Sequence, residues 1–206
     1  MAGRALVLGG TGMLAGCVAA LVGDGWHVVL PSRRYAPIPA EPLERGDYKP
    51  GSFARAALAG GRGHKPTSKA ERKALWVQAD WSEPDQLAAR AEHALGGPAD
   101  LLVAWVHAAD RVAVMHAVRP LLAPGAPIVE VLGSDASTGD TPDPVLAGHP
   151  TQQVVLGYVN LGGRTRWLTH HEIADGVLSA VRRAIEGRPP AAHQVGEVPM
   201  PYGHRP

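Results

Sequence analysis

The chain contains little sulfur and few aromatic rings. Among its 206 residues there is one cysteine, Cys17, and one phenylalanine. A single cysteine excludes an internal disulfide. Cys17 falls within a predicted helix, where it is more often a small buried residue than a reactive thiol.

The chain also lacks an excess of charge. Charged residues make up 19% of the sequence and the formal net charge is +1, so nothing predicts a nucleic-acid or acidic partner. Residues 5–23 carry no charge, but glycine and threonine interrupt this run and a second apolar strand follows at once. This pattern disfavours a signal or membrane segment. We therefore expect a cytoplasmic protein with no membrane partner.

Glycine, by contrast, is plentiful, and it marks the most informative segment. Residues 5–16 read ALVLGGTGMLAG, an apolar strand followed by a glycine-rich turn and a helix. Such a turn lets backbone N–H groups approach a phosphate, and the helix directs its positive dipole end at the anion. Gly9, Gly12 and Ala15 keep the three-residue spacing of a dinucleotide-binding turn. The predicted contact residues are Gly9, Thr11, Gly12, Met13 and Leu14.

Apolar runs of strand length alternate with helical stretches along the chain. This alternation predicts an α/β fold, a doubly wound parallel sheet of six to seven strands (a Rossmann fold) in a single domain over residues 1–206. Right-handed crossovers place the ligand at the carboxyl ends of the strands. The predicted strands are Ala5–Leu8, His27–Leu30, Leu75–Gln78, Leu101–Trp105, Ile128–Leu132 and Gln153–Tyr158. The predicted helices are Met13–Val22, Pro84–Leu95, Asp110–Leu122 and His171–Ile185, with Ser82 and Thr169 as caps.

Two segments depart from this pattern. Residues 35–74 form an insertion with five prolines, longer than an ordinary connection. It is either a lid over the cofactor or a loosely ordered surface excursion. A C-terminal tail is predicted from about residue 188.

Taken in order, these segments resemble a small, atypical short-chain dehydrogenase/reductase (SDR). GGTGML is similar to the glycine motif of the extended and atypical branches, and VQADWSEPDQL resembles the third-strand segment. ADLLVAWVHAAD and APIVEVLGSDAS resemble the fourth strand and the fifth strand with its serine. WLTHHEIADGVLSAV and AHQVGEV resemble the family's late helix and last short strand. The resemblance implies binding of a nicotinamide dinucleotide.

The resemblance also implies contacts around the adenosine. Asp80 would meet the adenine amino group, and Trp81 would supply an apolar wall. His107, with Val106 beside it, lies where the family approaches the ribose. The residues also allow structural roles: Asp80 as a cap of the following turn and His107 as an ordinary loop residue.

Charge at the end of the second strand predicts which dinucleotide is bound. An acidic residue there accepts hydrogen bonds from the ribose 2′-hydroxyl of NAD. This chain instead has Ser32, Arg33 and Arg34, and arginine suits a 2′-phosphate. The sequence therefore predicts NADP(H), the alternative being a solvated basic loop.

The catalytic elements of the family are not repeated. No Tyr-x-x-x-Lys pair occurs anywhere in the chain, and residues 137–151 read STGDTPDPVLAGHPT, too short and too rich in turn residues for the helix that carries it. The candidate catalytic residues are Ser134, which matches the family's serine, together with Tyr158, His107 and His149. His116 and His170, in helical contexts, are further potential proton donors.

The segment from Tyr158 to Trp167 has two interpretations. Its backbone could orient the nicotinamide ring, or Gly162 and Gly163 could form an ordinary hairpin. Arg164 and Arg166 are candidates for binding an anion, or simply surface charges.

We therefore expect an NADP(H)-dependent reductase acting on a small carbonyl, imine or conjugated alkene. Two alternatives are an NADP(H)-binding sensor without redox turnover and a non-redox isomerase or cyclase on the same fold. The only other expected partner is a second copy of the chain in a homodimer.

Overall fold

A parallel sheet of seven strands forms the centre of the protein. The computed structural model describes residues 3–35, 74–133 and 141–197. The strand order is β3-β2-β1-β4-β5-β6-β9, with every pairing parallel. The predicted doubly wound sheet is therefore confirmed. Its strands are β1 (Arg4–Leu8), β2 (His27–Ser32), β3 (Ala74–Gln78), β4 (Leu101–Ala104), β5 (Ile128–Leu132), β6 (Thr151–Leu156) and β9 (Ala191–Val195).

Helices cover both faces of this sheet, and the side chains of β1 divide between the two cores. Ala5 and Val7 pack with α1 and α4, whereas Leu6 and Leu8 pack with α2 and α3. All four side chains are fully buried, as expected of a strand covered on both faces. The helices among the described residues are α1 (Ala15–Gly23), α2 (Pro84–Leu95), α3 (Ala108–Val118) and α4 (His170–Ile185), with a 3₁₀ turn over Arg119–Leu121.

The two predicted helix caps differ in outcome. Thr169 caps α4: its hydroxyl accepts from the backbone N–H of Glu172, whose carboxylate accepts from the backbone N–H of Thr169. The prediction for Ser82 is wrong, because α2 begins after Glu83 with no side-chain cap. The Ser82 hydroxyl donates instead to the carboxylate of Asp80.

Beyond β6, the chain differs from the prediction. Tyr158 does not end that strand; it begins β7 (Tyr158–Asn160), which pairs antiparallel with β8 (Thr165–Trp167). Gly162 and Gly163 have positive φ angles in the connecting turn, so the hairpin interpretation is correct. β9 then adds to the sheet beside β6. Ordered structure thus continues past residue 188, beyond the predicted start of the tail.

The prediction for the insertion over residues 35–74 concerns residues that the structure describes only at the two ends of that segment. The insertion lies almost wholly outside the described residues, so neither interpretation of it is tested.

Cys17 is fully buried in the core, and burial raises the pKa of its thiol to about 12. Within the described ranges, no helix is both long enough and apolar enough to cross a membrane.

Candidate functional site

A pocket of about 640 Å³ opens at the carboxyl ends of β1 to β4. This volume falls within the range of about 300–1,000 Å³ typical of small-molecule and cofactor sites. The pocket lies where the strand order reverses, between β1 and β4, which is where open α/β sheets bind their ligands. It is lined by Gly9, Thr11, Gly12, Met13, Ser32, Arg33, Arg34, Ala79, Trp81, Trp105, His107 and His170.

The glycine turn forms the floor of this pocket. Gly9 has a φ of +81°, and a Cβ there would lie 2.7 Å from the carbonyl oxygen of Trp105, so only glycine fits without strain. At Gly12 a Cβ would meet nothing within 4 Å. The backbone is therefore open on that side, and α1 begins three residues later. An open turn beside a helix N-terminus suits a phosphate, so these residues fit the pyrophosphate of a dinucleotide.

The residues that follow Gly12 and Met13 pack into the protein. Leu14 is fully buried in the core, so its side chain cannot contact a ligand and only its backbone borders the turn. Ala15 is also buried, and Gly16 makes a close contact with another helix. A Cβ at Gly16 would lie 3.0 Å from the Cβ of Ala174 in α4. This close approach brings the start of α4 beside the glycine turn.

The end of β2 contributes positive charge to the pocket. Ser32, Arg33 and Arg34 all line it, and both arginine side chains are exposed. No carboxylate stands at the end of this strand. The arrangement therefore suits a ligand that carries negative charge near the end of β2.

Asp80 is held by its own turn. Its carboxylate accepts hydrogen bonds from the backbone N–H and the hydroxyl of Ser82, both at 3.1 Å. These two bonds, and then the charge of Arg33, hold the pKa of Asp80 below its usual value. Asp80 is not among the pocket-lining residues, so this geometry favours the turn-capping role that the sequence left open.

Two aromatic rings close one side of the pocket. Trp81 and His107 both line it, and their rings meet edge to face with centroids 5.3 Å apart. Val106, between Trp105 and His107, is instead buried in the core beside α2 and α3. Its predicted cofactor contact is therefore limited to the backbone.

Sequence reasoning missed three pocket-lining positions. Ala79 and Trp105 directly follow β3 and β4, and their place after a strand could have identified them. His170, noted only as a potential proton donor, is the first residue of α4 and lines the same pocket as the glycine turn. Its capping residue Thr169 was visible in the sequence, but the packing of α4 on α1 was not. Burial lowers the pKa of His170 below its usual value.

The predicted catalytic residues do not converge on the pocket. Of the three that lie in the described ranges, His107 alone lines it. His149 precedes β6 and bonds through Nδ1 to the carbonyl oxygen of Ala126, which precedes β5. His149 thus lies at the amino end of the sheet, opposite the pocket. The prediction that it donates a proton in the pocket is therefore wrong. Tyr158 packs edge to face on Trp167 in the hairpin, and Ser134 lies outside the described residues.

The connection between β5 and β6 is anchored by a buried ion pair. Glu130, in β5, is 2% exposed and pairs with Arg111 of α3. The carboxylate of Glu130 also accepts from the backbone N–H of Val145, and Arg111 donates to the carbonyl oxygen of Asp143. Residues 141–150 contain no helix. This part of the connection is therefore an irregular segment fixed by charge-assisted hydrogen bonds.

Arg166 is engaged in the hairpin rather than presented to a ligand. Its guanidinium forms two hydrogen bonds with the carboxylate of Glu172, at 2.8 and 2.9 Å. A third bond, from Nη1 to the carbonyl oxygen of Trp167 at 3.0 Å, also holds the guanidinium at the hairpin, so its charge is already paired with a carboxylate. Among the described residues, no group of three or more histidine, cysteine, aspartate or glutamate side chains is arranged to hold a metal ion.

Comparison with known proteins matches this architecture to solved structures. The NADH-dependent reductase A1-R′, solved in complex with NAD, superposes with a TM-score of 0.58 at 17% identity, covering 94% of this chain and 95% of that one. A glucose/ribitol-type dehydrogenase from Brucella melitensis gives 0.58 at 15% identity, with coverage of 97% and 100%. A short-chain dehydrogenase/reductase from Serratia marcescens gives 0.56 at 16% identity, with coverage of 95% and 97%.

The chain has a Rossmann-like α/β fold similar to that of these short-chain dehydrogenases/reductases. Identity this low shows the fold alone, and neither a protein-family model nor a curated protein matches the sequence. The SDR likeness extends over nearly the whole chain rather than over the glycine turn only. What the pocket of this SDR-like domain binds therefore depends on its own residues.

Proposed function

We propose that this chain is an NADP(H)-dependent reductase acting on a small carbonyl, imine or conjugated alkene. The observation that carries the proposal is the pocket at the switch point of the sheet, with Arg33 and Arg34 at the end of β2. A ligand that matches both the glycine turn and these arginines would have phosphate both at the turn and at the end of β2. NADP(H) has this arrangement of phosphates.

The proposed cofactor differs from that of one structural neighbour. The reductase A1-R′ is described as NADH-dependent, whereas this chain has two arginines and no carboxylate at the end of β2. A carboxylate there would repel a 2′-phosphate, and a guanidinium offers it charge-assisted donors. The difference in charge favours NADP(H) for this chain.

Different residues of the pocket would bind different parts of the cofactor. The turn from Gly9 to Met13 would receive the pyrophosphate on backbone N–H groups, and Trp81 would pack against the adenine. The bound cofactor supplies hydride transfer, while the protein supplies position and electrostatics. His107 and His170 are the two histidines among the described lining residues, so they are the candidates to hold or move a proton.

Titration with NADPH and NADH tests the proposal. We expect saturable binding with NADPH preferred, and loss of about tenfold or more in NADPH affinity in Arg33→Ala or Arg34→Ala, since a hydrogen bond to a charged group contributes about 1.5–3 kcal/mol. NADH affinity should change little in these variants. Arg182→Ala, on an exposed face of α4, is the matched control. Equal affinity for both dinucleotides, or unchanged NADPH affinity in both variants, would contradict the cofactor assignment.

A second candidate is an NADP(H)-binding sensor without turnover. It is favoured by the lack of any Tyr-x-x-x-Lys pair in the chain and by the absence of a helix over residues 141–150. Oxidation of NADPH in the presence of a panel of aldehydes, ketones, imines and enones separates the two candidates. Turnover of any class supports the reductase, whereas tight binding without turnover supports the sensor.

A further inference from the structure

Trp76 reaches from β3 to the end of β2. In the parallel register, Leu30 stands opposite Trp76 and Ser32 opposite Gln78. Because side chains alternate along a strand, Trp76 and Ser32 lie on the same face of the sheet. The indole Nε1 of Trp76 donates to the hydroxyl oxygen of Ser32 at 2.9 Å. One hydrogen bond therefore joins the two strands through their side chains.

The Ser32 hydroxyl also forms a hydrogen bond with the backbone of the arginine pair. It donates to the carbonyl oxygen of Arg34 at 2.7 Å. A serine hydroxyl has one hydrogen to donate and two lone pairs, so the bond from Trp76 occupies one lone pair and leaves the hydrogen for Arg34. Donor and acceptor bonds of this kind strengthen each other. The hydrogen of the hydroxyl is therefore committed to the turn rather than to a ligand.

The same indole also supports the residue that follows the arginines. The ring of Tyr35 packs edge to face on Trp76, with centroids 5.7 Å apart and planes at 81°. Trp76 thus contacts the residue before Arg33 and the residue after Arg34. Both arginine side chains are exposed and line the pocket, and the backbone from which they start is held at each end by one ring.

We propose that Trp76 is the positioning residue for 2′-phosphate recognition in this pocket. Through Ser32 and Tyr35 it orders the turn that carries Arg33 and Arg34, and so sets the preference for NADPH over NADH. Trp76 is not among the residues that line the pocket, so it acts through its neighbours. This inference rests on the proposed NADP(H) site and names the group that determines its specificity.

Trp76→Phe tests the inference, because it keeps an aromatic ring and removes the indole N–H. We expect NADPH affinity to fall by about threefold to tenfold, the effect of losing one neutral hydrogen bond. NADH affinity should stay within about twofold, since NADH has no 2′-phosphate. Trp26→Phe is the control: Trp26 is half-buried and precedes β2, at the end of the sheet away from the pocket.

Ser32→Ala provides an independent variant that leaves the ring in place. It should lower the NADPH to NADH affinity ratio as Trp76→Phe does. In the Ser32→Ala background, Trp76→Phe should have no further effect on the ratio, because the two residues act through one hydrogen-bonded chain. Melting temperatures of all variants identify any loss of affinity that comes from unfolding.

The outcomes separate this inference from the function on which it rests. If the wild-type chain binds neither dinucleotide, or prefers NADH, the proposed site fails and the inference with it. If the wild-type chain prefers NADPH and Trp76→Phe keeps the same affinity ratio, only the inference is overturned. Equal loss of affinity for both dinucleotides would also overturn it, because that pattern marks a general structural role.

Discussion

The rings of Trp81 and His107 meet edge to face although they follow strands that are not neighbours. Trp81 comes after β3 and His107 after β4, and β2 and β1 lie between these strands in the sheet. The centroids are 5.3 Å apart. The two loops therefore come together over the strand ends, and their rings form one aromatic side of the pocket.

This pair predicts a loss of affinity that does not depend on the 2′-phosphate. Trp81→Ala should weaken binding of NADPH and NADH by similar factors, about tenfold, because stacking of a base on an aromatic ring contributes about 1–3 kcal/mol. Fluorescence titration with both dinucleotides measures this effect. Trp167→Ala, in the hairpin, is the control. Unchanged affinity for both dinucleotides in Trp81→Ala would place the adenine elsewhere.

The two glycines of the turn should respond differently to alanine. Gly9→Ala should destabilise the fold by about 1–3 kcal/mol, because its positive φ and the nearby carbonyl of Trp105 both oppose a Cβ. Gly12→Ala should leave the melting temperature nearly unchanged, since its Cβ meets no atom, yet lower dinucleotide affinity. Thermal unfolding and titration of both variants measure this contrast. A Gly12→Ala protein with wild-type affinity would exclude the turn as the phosphate site.

The position of His170 in the pocket predicts that the protein takes up a proton when a dinucleotide binds. Burial lowers its pKa in the free protein, so the ring is neutral near pH 7, and stability is lost as the pH falls and protonation is forced on the folded state. Phosphate bound in the same pocket would favour the charged form and raise the pKa of His170. Dinucleotide affinity should therefore rise as the pH is lowered from about 8 to about 6.

Calorimetry in buffers of different ionisation enthalpy measures this uptake directly. His170→Asn should abolish it, whereas His116→Asn, exposed on α3 away from the pocket, should not. Uptake that persists in His170→Asn but disappears in His107→Asn would assign the proton to the other pocket histidine.

The ionisation of Glu172 makes the free energy of unfolding depend on pH in the acid range. Its bonds with Arg166, followed by those with Thr169, lower the pKa of its carboxyl from 4.5 to about 2. The folded state therefore gains stability that is present above pH 4.5 and is lost as the pH falls toward 2. Because both partners are more than a third exposed, the gain at pH 7 should stay below about 1 kcal/mol.

Thermal unfolding of Glu172→Gln across pH measures this gain. The variant should melt below the wild type at pH 7, and the difference should vanish near pH 2. Glu186→Gln, which removes an exposed pair with Arg188, should melt like the wild type. A difference for Glu172→Gln that stays constant with pH would show that charge is not its cause.

Patterns local in sequence predicted the elements and the parts of the site that lie beside them. The glycine turn, the end of β2 and the loops after β3 and β4 directly follow apolar strands, so their place at the carboxyl edge of a parallel sheet could be inferred. Boundaries were less accurate. α1 begins two residues later than predicted because residues 11–14 form a turn, and Ser82 bonds with Asp80 rather than capping α2.

The sequence by itself determined the parallel sheet, the glycine turn and the positive charge at the end of β2, because each depends on neighbouring residues. The tertiary structure alone decided which distant side chains share the pocket. The packing of Gly16 on Ala174 brings His170 to the glycine turn, and strand register brings Trp76 to Ser32. Such contacts depend on how helices and strands pack, and that packing has no signature within a short stretch of sequence.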